Sequence, residues 1–232
     1  MSAAGKALPD TDWHVRKLYA FAGRLGATVL AANFSRYVVD LNRPADDGAL
    51  YAGQVSTGLC PAQTFAGAPI YRAGQGVMPA ERESRVTQYW QPYHDRLRTA
   101  LDAIRERFGY ALLWDAHSIA GEVPLLFDGV LPDLNLGTND GASCNAAIAR
   151  EVGLEAAASA YSSVLNGRFR GGYITRHYGD PDRHVHAIQL ELAQRNYMDE
   201  ATCAYDEAAA GQLGETIRRM LAAFLDAATR CR

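Results

Sequence analysis

Apolar residues recur along this chain with two different periods, and their alternation predicts its elements. Val15, Leu18, Tyr19, Ala22 and Leu25 share one face at helical spacing, so Asp12 to Leu25 reads as a helix that Gly26 stops. Ala27 to Phe34 and Tyr37 to Leu41 are short, apolar and rich in β-branched residues, the pattern of strands. Glu81 to Phe108 carries a long apolar stripe of Val86, Trp90, Tyr93, Leu97, Leu101, Ile104 and Phe108, which Pro92 is expected to kink or divide. Tyr110 to Trp114 is a continuous apolar run, as in a strand covered on both faces. Leu131 to Leu136 and Ser163 to Leu165 read as further short strands, Ala142 to Val152 and Ala156 to Tyr161 as helical, and Val185 to Leu192 as a clear strand. Tyr205 to Ala228 closes the chain as an amphipathic helix with Leu213, Ile217, Met220, Leu221 and Leu225 inward.

Strands alternating with helices imply an α/β layered fold with a mostly parallel sheet. Residues 42–78 break the alternation. They are rich in Gly and Pro and keep no period, which predicts a long substrate or lid loop within a single domain spanning 1–232. Tyr51, Phe65 and Tyr71 are the side chains able to pin it. The charge balance, 23 Lys and Arg against 26 Asp and Glu, leaves no basic stripe and argues against a nucleic-acid partner. No apolar run reaches the roughly 20 residues a membrane span needs, and the first residues lack the apolar core of a signal peptide. Cys60, Cys144, Cys203 and Cys231 form no CxxC pair, which fits reduced thiols and a cytoplasmic protein.

In open α/β sheets, active sites gather at the carboxyl ends of strands. Two such ends carry polar residues here. The first runs from Leu112 into Asp115, Ala116, His117 and Ser118. A neutral imidazole there is a good zinc ligand, which Asp115 can orient; a structural, hydrogen-bonded histidine is the alternative. The second, His186 to Ala193, sets Glu191 inside an apolar strand. A carboxylate is costly to bury there unless a function or a partner, such as Arg195, accounts for it. In Ser35 to Arg43, Arg36 and Arg43 bracket a short strand with Asn42 beside the second. Guanidinium groups grip carboxylates bidentately and stabilise a developing oxyanion, although two surface arginines would look the same in sequence. Asn166 to Gly179 combines backbone-freeing glycines with Arg170, Tyr173, Thr175, Arg176, His177 and Tyr178, the makings of a ligand loop or of a plain hairpin.

Taken together, Asp10-Thr11-Asp12-Trp13-His14-Val15, Ser35 to Arg43, Trp114 to Ser118, Asp133 to Thr138, Gly171 to Gly179 and Gln189 to Arg195 resemble the N-formylglutamate amidohydrolase (deformylase) family. Each motif alone is weak; six in order, spanning nearly the whole chain, are specific. That family is related to the zinc carboxypeptidases and aspartoacylases. The resemblance implies their three-layer α/β core, a mixed, mostly parallel sheet with helices on both faces and one Zn2+ at strand ends. It implies His117 and Asp12 as zinc ligands, Glu191 as general base and acid, and Arg36 as the group polarising the scissile carbonyl. Asn42 and Arg43 would bind substrate, with Arg176, Thr175 and Tyr173 as further candidates. The implied reaction releases formate and L-glutamate from N-formyl-L-glutamate, a step of histidine degradation. A deacylase of another N-acyl acidic amino acid, or a metal-deficient binding protein that keeps the arginines, are the rival readings.

One departure bears on the metal. The family's earlier strand followed by Pro-His-x-Gly, whose histidine is the first zinc ligand, has no counterpart here. If His14 shares a helix with Asp12 it faces another way, so it is no substitute. The expectation is a chain that begins inside the family's domain, with exposed strand edges and a weakened or absent zinc site.

Overall fold

The structure is a computed structural model that describes residues 1–48 and 57–231. Tyr51, expected to help pin the long loop, lies outside the described residues. In chain order the helices are α1 (Ala3–Ala7), α2 (Val15–Leu18), α3 (Pro79–Arg85), α4 (Gln91–Phe108), α5 (Ala146–Ala157), α6 (Tyr173–Tyr178) and α7 (Glu207–Arg230). The strands are β1 (Ala111–Ile119), β2 (Leu134–Gly137), β3 (Ser163–Leu165) and β4 (Val185–Ala193). The chain forms two compact units. The first contains Met1–Thr11, Leu30–Thr99 and Glu122–Gly129; the second contains Asp12–Val29, Ala100–Gly121 and Val130–Arg232.

The first unit is built from loops tied by side chains. Asp10 accepts from the Tyr37 hydroxyl at 2.5 Å and from the Phe65 backbone N–H at 2.8 Å. Tyr71 donates to the Tyr37 carbonyl at 3.0 Å, so Tyr71 ties the long loop through its side chain, while Phe65 does so through its backbone N–H and its ring lies 4.6 Å from the Arg36 guanidinium carbon. Tyr37 to Leu41 is not a strand. Ser35 and Asp40 capture the nearby backbone N–H groups of Tyr37 and Asn42 at 3.1 and 3.0 Å, and such local bonds compete with a strand ladder. Ala27 to Phe34 is also not a strand, because it pairs with none and is mostly exposed. Asp12 to Leu25 is likewise not one helix: it holds only α2 and a 3-10 turn, Ala22–Leu25. The long helical stretch is divided just before Pro92, as expected. A π turn, Val86–Trp90, absorbs the disturbance, so the proline enters as the second residue of α4, where its missing N–H costs little.

The second unit holds a four-stranded sheet in the order β1-β4-β2-β3. β1 pairs β4 and β2 pairs β3 in parallel, while β2 pairs β4 antiparallel, so the α/β sheet is mixed and mostly parallel as expected. All nine residues of β4 are buried, as a strand covered on both faces requires. One face carries Leu134, Leu136, Ile188, Leu190 and Leu192 into the core, against Ile148 and Val152 of α5 and Leu213, Ile217, Met220 and Phe224 of α7. Each such side chain contributes roughly 1.5–3 kcal/mol by leaving water. α7 is capped by Asp206, whose carboxylate accepts from the N–H groups of Ala208 and Ala209. Its inward stripe runs through Phe224; Leu225, expected inward, is 48% exposed because it lies one position round the helix. α5 starts at Ala146, later than expected, because the Asn145 side chain caps it by accepting from Ala147 N–H.

Candidate active site

β1 is longer than the apolar run predicts. It continues through Ile119, so Asp115 and His117 lie on the strand and not beyond its end. Alternation therefore points both to one face, and the register sets what they meet. His117 is level with Glu191 and Glu191 with Asn135; Asp115 is level with Gln189 and Gln189 with Gly137. Residues level across neighbouring strands share a face. The side of the sheet opposite the leucine core thus presents two polar rows drawn from three strands.

Within these rows every side chain is braced. The His117 ring directs Nε2 to Asp115 Oδ1 at 2.9 Å and Nδ1 to Asp12 Oδ2 at 3.4 Å. Asp115 is buried, and its other oxygen accepts from the Thr175 hydroxyl at 3.1 Å. Asp12 is more exposed, and its Oδ1 accepts from the Ser118 backbone N–H at 2.6 Å. Burial works against a charge on His117, but Asp115 and Asp12 outweigh it and hold the imidazole well above its ordinary range. Glu191, 8% exposed, accepts at Oε2 from Gln189 Nε2 at 3.1 Å. Its backbone carbonyl accepts from Asn135 Nδ2 at 3.1 Å, while the buried Asn135 Oδ1 has no hydrogen-bond partner. Arg195, weighed from sequence as a partner for Glu191, instead pairs with Asp133 at 2.6 Å.

The loop before α6 closes over this face. A Cβ at Gly137 would meet Gly171 N at 2.5 Å and the Arg170 carbonyl carbon at 2.7 Å, so only glycine lets that backbone lie so near β2. Gly171 has a φ of +113°, which also favours glycine. The segment is therefore not a plain hairpin. Thr175, expected to bind substrate, is fully buried, and its hydroxyl donates to Asp115. Arg176 and Tyr173 are half-buried; Arg176 Nε donates to the Gly171 carbonyl at 2.7 Å, and Tyr173 stacks on His177 with centroids 4.8 Å apart.

Arg36, Asn42 and Arg43 belong to the first unit. Arg36 pairs with buried Asp40, and both Arg36 Nη2 and Arg43 Nη2 donate to Thr57 Oγ1 at 3.3 Å. Asn42 N–H donates to Asp40 Oδ1, so Asp40 anchors both the arginine and the turn. The aspartate and the threonine hold the cluster in place; sequence alone suggested neither contact.

The donor set at His117 matches part of a metal centre. An imidazole braced at Nε2 by a buried carboxylate, with Nδ1 beside a second and more exposed one, is the carboxylate–histidine arrangement that orients metal ligands. A catalytic zinc takes three protein ligands, and His117 and Asp12 would be two of them. Among the described residues no group of three or more His, Cys, Asp and Glu is placed to hold a metal ion. His14 precedes α2 and so does not share a helix with Asp12, and its Nε2 engages the Cys203 carbonyl at 2.8 Å.

The profile of the N-formylglutamate amidohydrolase family matches residues 1–198. The chain is 54% identical over 222 residues to an N-formylglutamate deformylase of Pseudomonas putida, covering 95% of this chain and 83% of that protein. It is 55% identical to a Pseudomonas aeruginosa protein of the same description, with the same coverage. Among solved structures, an N-formylglutamate amidohydrolase from Ralstonia eutropha superposes with a TM-score of 0.82 at 25% identity, over 98% of this chain and 86% of that one. A gene product of Agrobacterium tumefaciens shares the fold with a TM-score of 0.68 at 21% identity, over 96% and 82%. With the family profile matched and relatives more than half identical, the chain belongs to the N-formylglutamate amidohydrolase family.

Proposed function

We propose that the protein hydrolyses the amide of N-formyl-L-glutamate, releasing formate and L-glutamate. The observation that carries this reading is Glu191, a buried carboxylate level with His117 on the polar face of the sheet. Glu191 takes a proton from water as the water attacks the formyl carbon, then passes it to the leaving nitrogen. Arg36 opposes the charge developing on the carbonyl oxygen, an effect of roughly 3–4 kcal/mol for a well-placed donor. Arg43, Asn42, Arg176 and Tyr173 are assigned to the substrate's carboxylates, since guanidinium, amide and hydroxyl donors suit them. Thr175 is assigned to bracing Asp115, the contact its hydroxyl makes.

Zinc fits the donor chemistry of Asp12 and His117, which would hold it, with Asp115 orienting the ring. Bound there, zinc supplies Lewis acidity and acidifies water. The names of the Pseudomonas relatives favour a formyl substrate over a bulkier acyl group. The deciding experiment follows formate release by Glu191→Gln. Loss of turnover with the fold intact supports the reading, and retained turnover removes Glu191 from the base role.

A further inference from the structure

The face of β4 that presents Glu191 also presents Gln189, two residues earlier, and the mechanism above gives this glutamine no task. It is 3% exposed. Its Nε2 donates to Glu191 Oε2 at 3.1 Å, and its Oε1 accepts from the Gly172 backbone N–H at 2.6 Å. The two ends of an amide differ only by chemistry, and here the chemistry leaves no choice. A backbone N–H can only donate, so Oε1 must face Gly172. The amide hydrogens then face Glu191, whose carboxylate accepts them when ionised. A one-way relay results, from the loop before α6, through Gln189, to the carboxylate.

We propose that Gln189 is the positioning residue for Glu191, orienting its carboxylate to accept the proton of the attacking water. This rests on the reading of Glu191 as general base. Burial alone favours the protonated acid, and a donor to the charged form offsets that. A neutral donor suits the task better than a cation would. A lysine or arginine at the same place would hold the carboxylate too firmly ionised to take up a proton in mid-reaction. The relay also ties the carboxylate to the Gly171–Gly172 backbone, which the close approach at Gly137 fixes against β2.

The test compares Gln189→Met and Gln189→Glu with Glu191→Gln and the parent protein, following formate release across pH and thermal unfolding. Gln189→Met fills similar space but removes both bonds. Its kcat should fall about 10–100-fold, the scale of a misplaced reacting group, with KM changed by less than about 3-fold. The acid limb of its kcat/KM profile should move to higher pH, because the carboxylate has lost a donor to its charged form. Gln189→Glu keeps an acceptor for the Gly172 N–H and nearly the same volume, so it decides the matter if the methionine variant fails to fold. It sets two carboxylates side by side, and only the form sharing one proton has a donor to Glu191. Its profile should therefore gain a new alkaline limb as that proton leaves, with the optimum displaced to acid. If neither variant moves its pH profile, while Glu191→Gln is inactive, the positioning role is overturned and Glu191 remains the base. An active Glu191→Gln overturns the base reading itself.

Discussion

The two faces of β4 are equally buried and differ in almost everything else. Ile188, Leu190 and Leu192 enter the leucine core, while Gln189 and Glu191 enter the polar rows on the other side. Burial does not tell the two apart; what each side chain meets does. The apolar face is stabilised by area removed from water and tolerates no loss of volume. The polar face places a carboxylate where its charge is expensive, and the bond from Gln189 offsets part of that cost. A strand can serve both faces because its side-chain period is two.

Substitution on each face should separate the two roles. Glu191→Gln should reduce formate release about 10²–10⁴-fold, the contribution of a general base. Thermal unfolding should show no loss of stability, because an amide of equal shape replaces a buried charge. Leu190→Ala should do the opposite. A cavity there costs about 2–5 kcal/mol in denaturant titration, while kcat of the folded fraction stays within about 2-fold. If Leu190→Ala lost turnover without losing stability, the separation between a structural and a chemical face would be wrong.

The next effect lies on β1. Asp115→Asn keeps the shape at His117 but weakens the contact that orients the ring. Zinc affinity, read by competition with a chromogenic chelator, should fall about 10–100-fold, as for other carboxylates behind a metal-bound histidine. Unchanged affinity would mean that His117 does not carry the metal through Nδ1.

How much of this was legible in the sequence follows from the same contrast. β4 was plain, because an apolar run bounded by turn residues is a strong local signal. His117 and Glu191 were found because charged or titratable residues break such runs. The segment 27–41 was misread, because its β-branched residues satisfy a strand pattern while pairing is a matter of what lies alongside. Asp40 and Ser35 held the countersignal, as short side chains that capture local N–H groups. Gln189 was visible in principle, since two residues from Glu191 on a strand means the same face. Its donor, the Gly172 backbone N–H, was not, because nothing in a glycine's identity says where its amide points.

The smallest expected effect bears on Thr175, which is proposed to brace Asp115 and not to bind substrate. Thr175 is fully buried and donates to Asp115 Oδ2 at 3.1 Å. Thr175→Val preserves shape and removes only that donor. Leaving the aspartate oxygen short of a bond should cost about 1–3 kcal/mol of stability. Its effect on zinc affinity should be smaller than that of Asp115→Asn, because Asp115 still meets His117. A residue that touched substrate would behave differently, since losing its hydroxyl would raise KM while leaving stability and metal affinity alone. Steady-state kinetics and a denaturation curve on the same preparation separate the two. KM within about 2-fold of the parent, together with a lower unfolding midpoint, places Thr175 behind Asp115 on the polar face; a rise in KM at full stability returns it to the substrate.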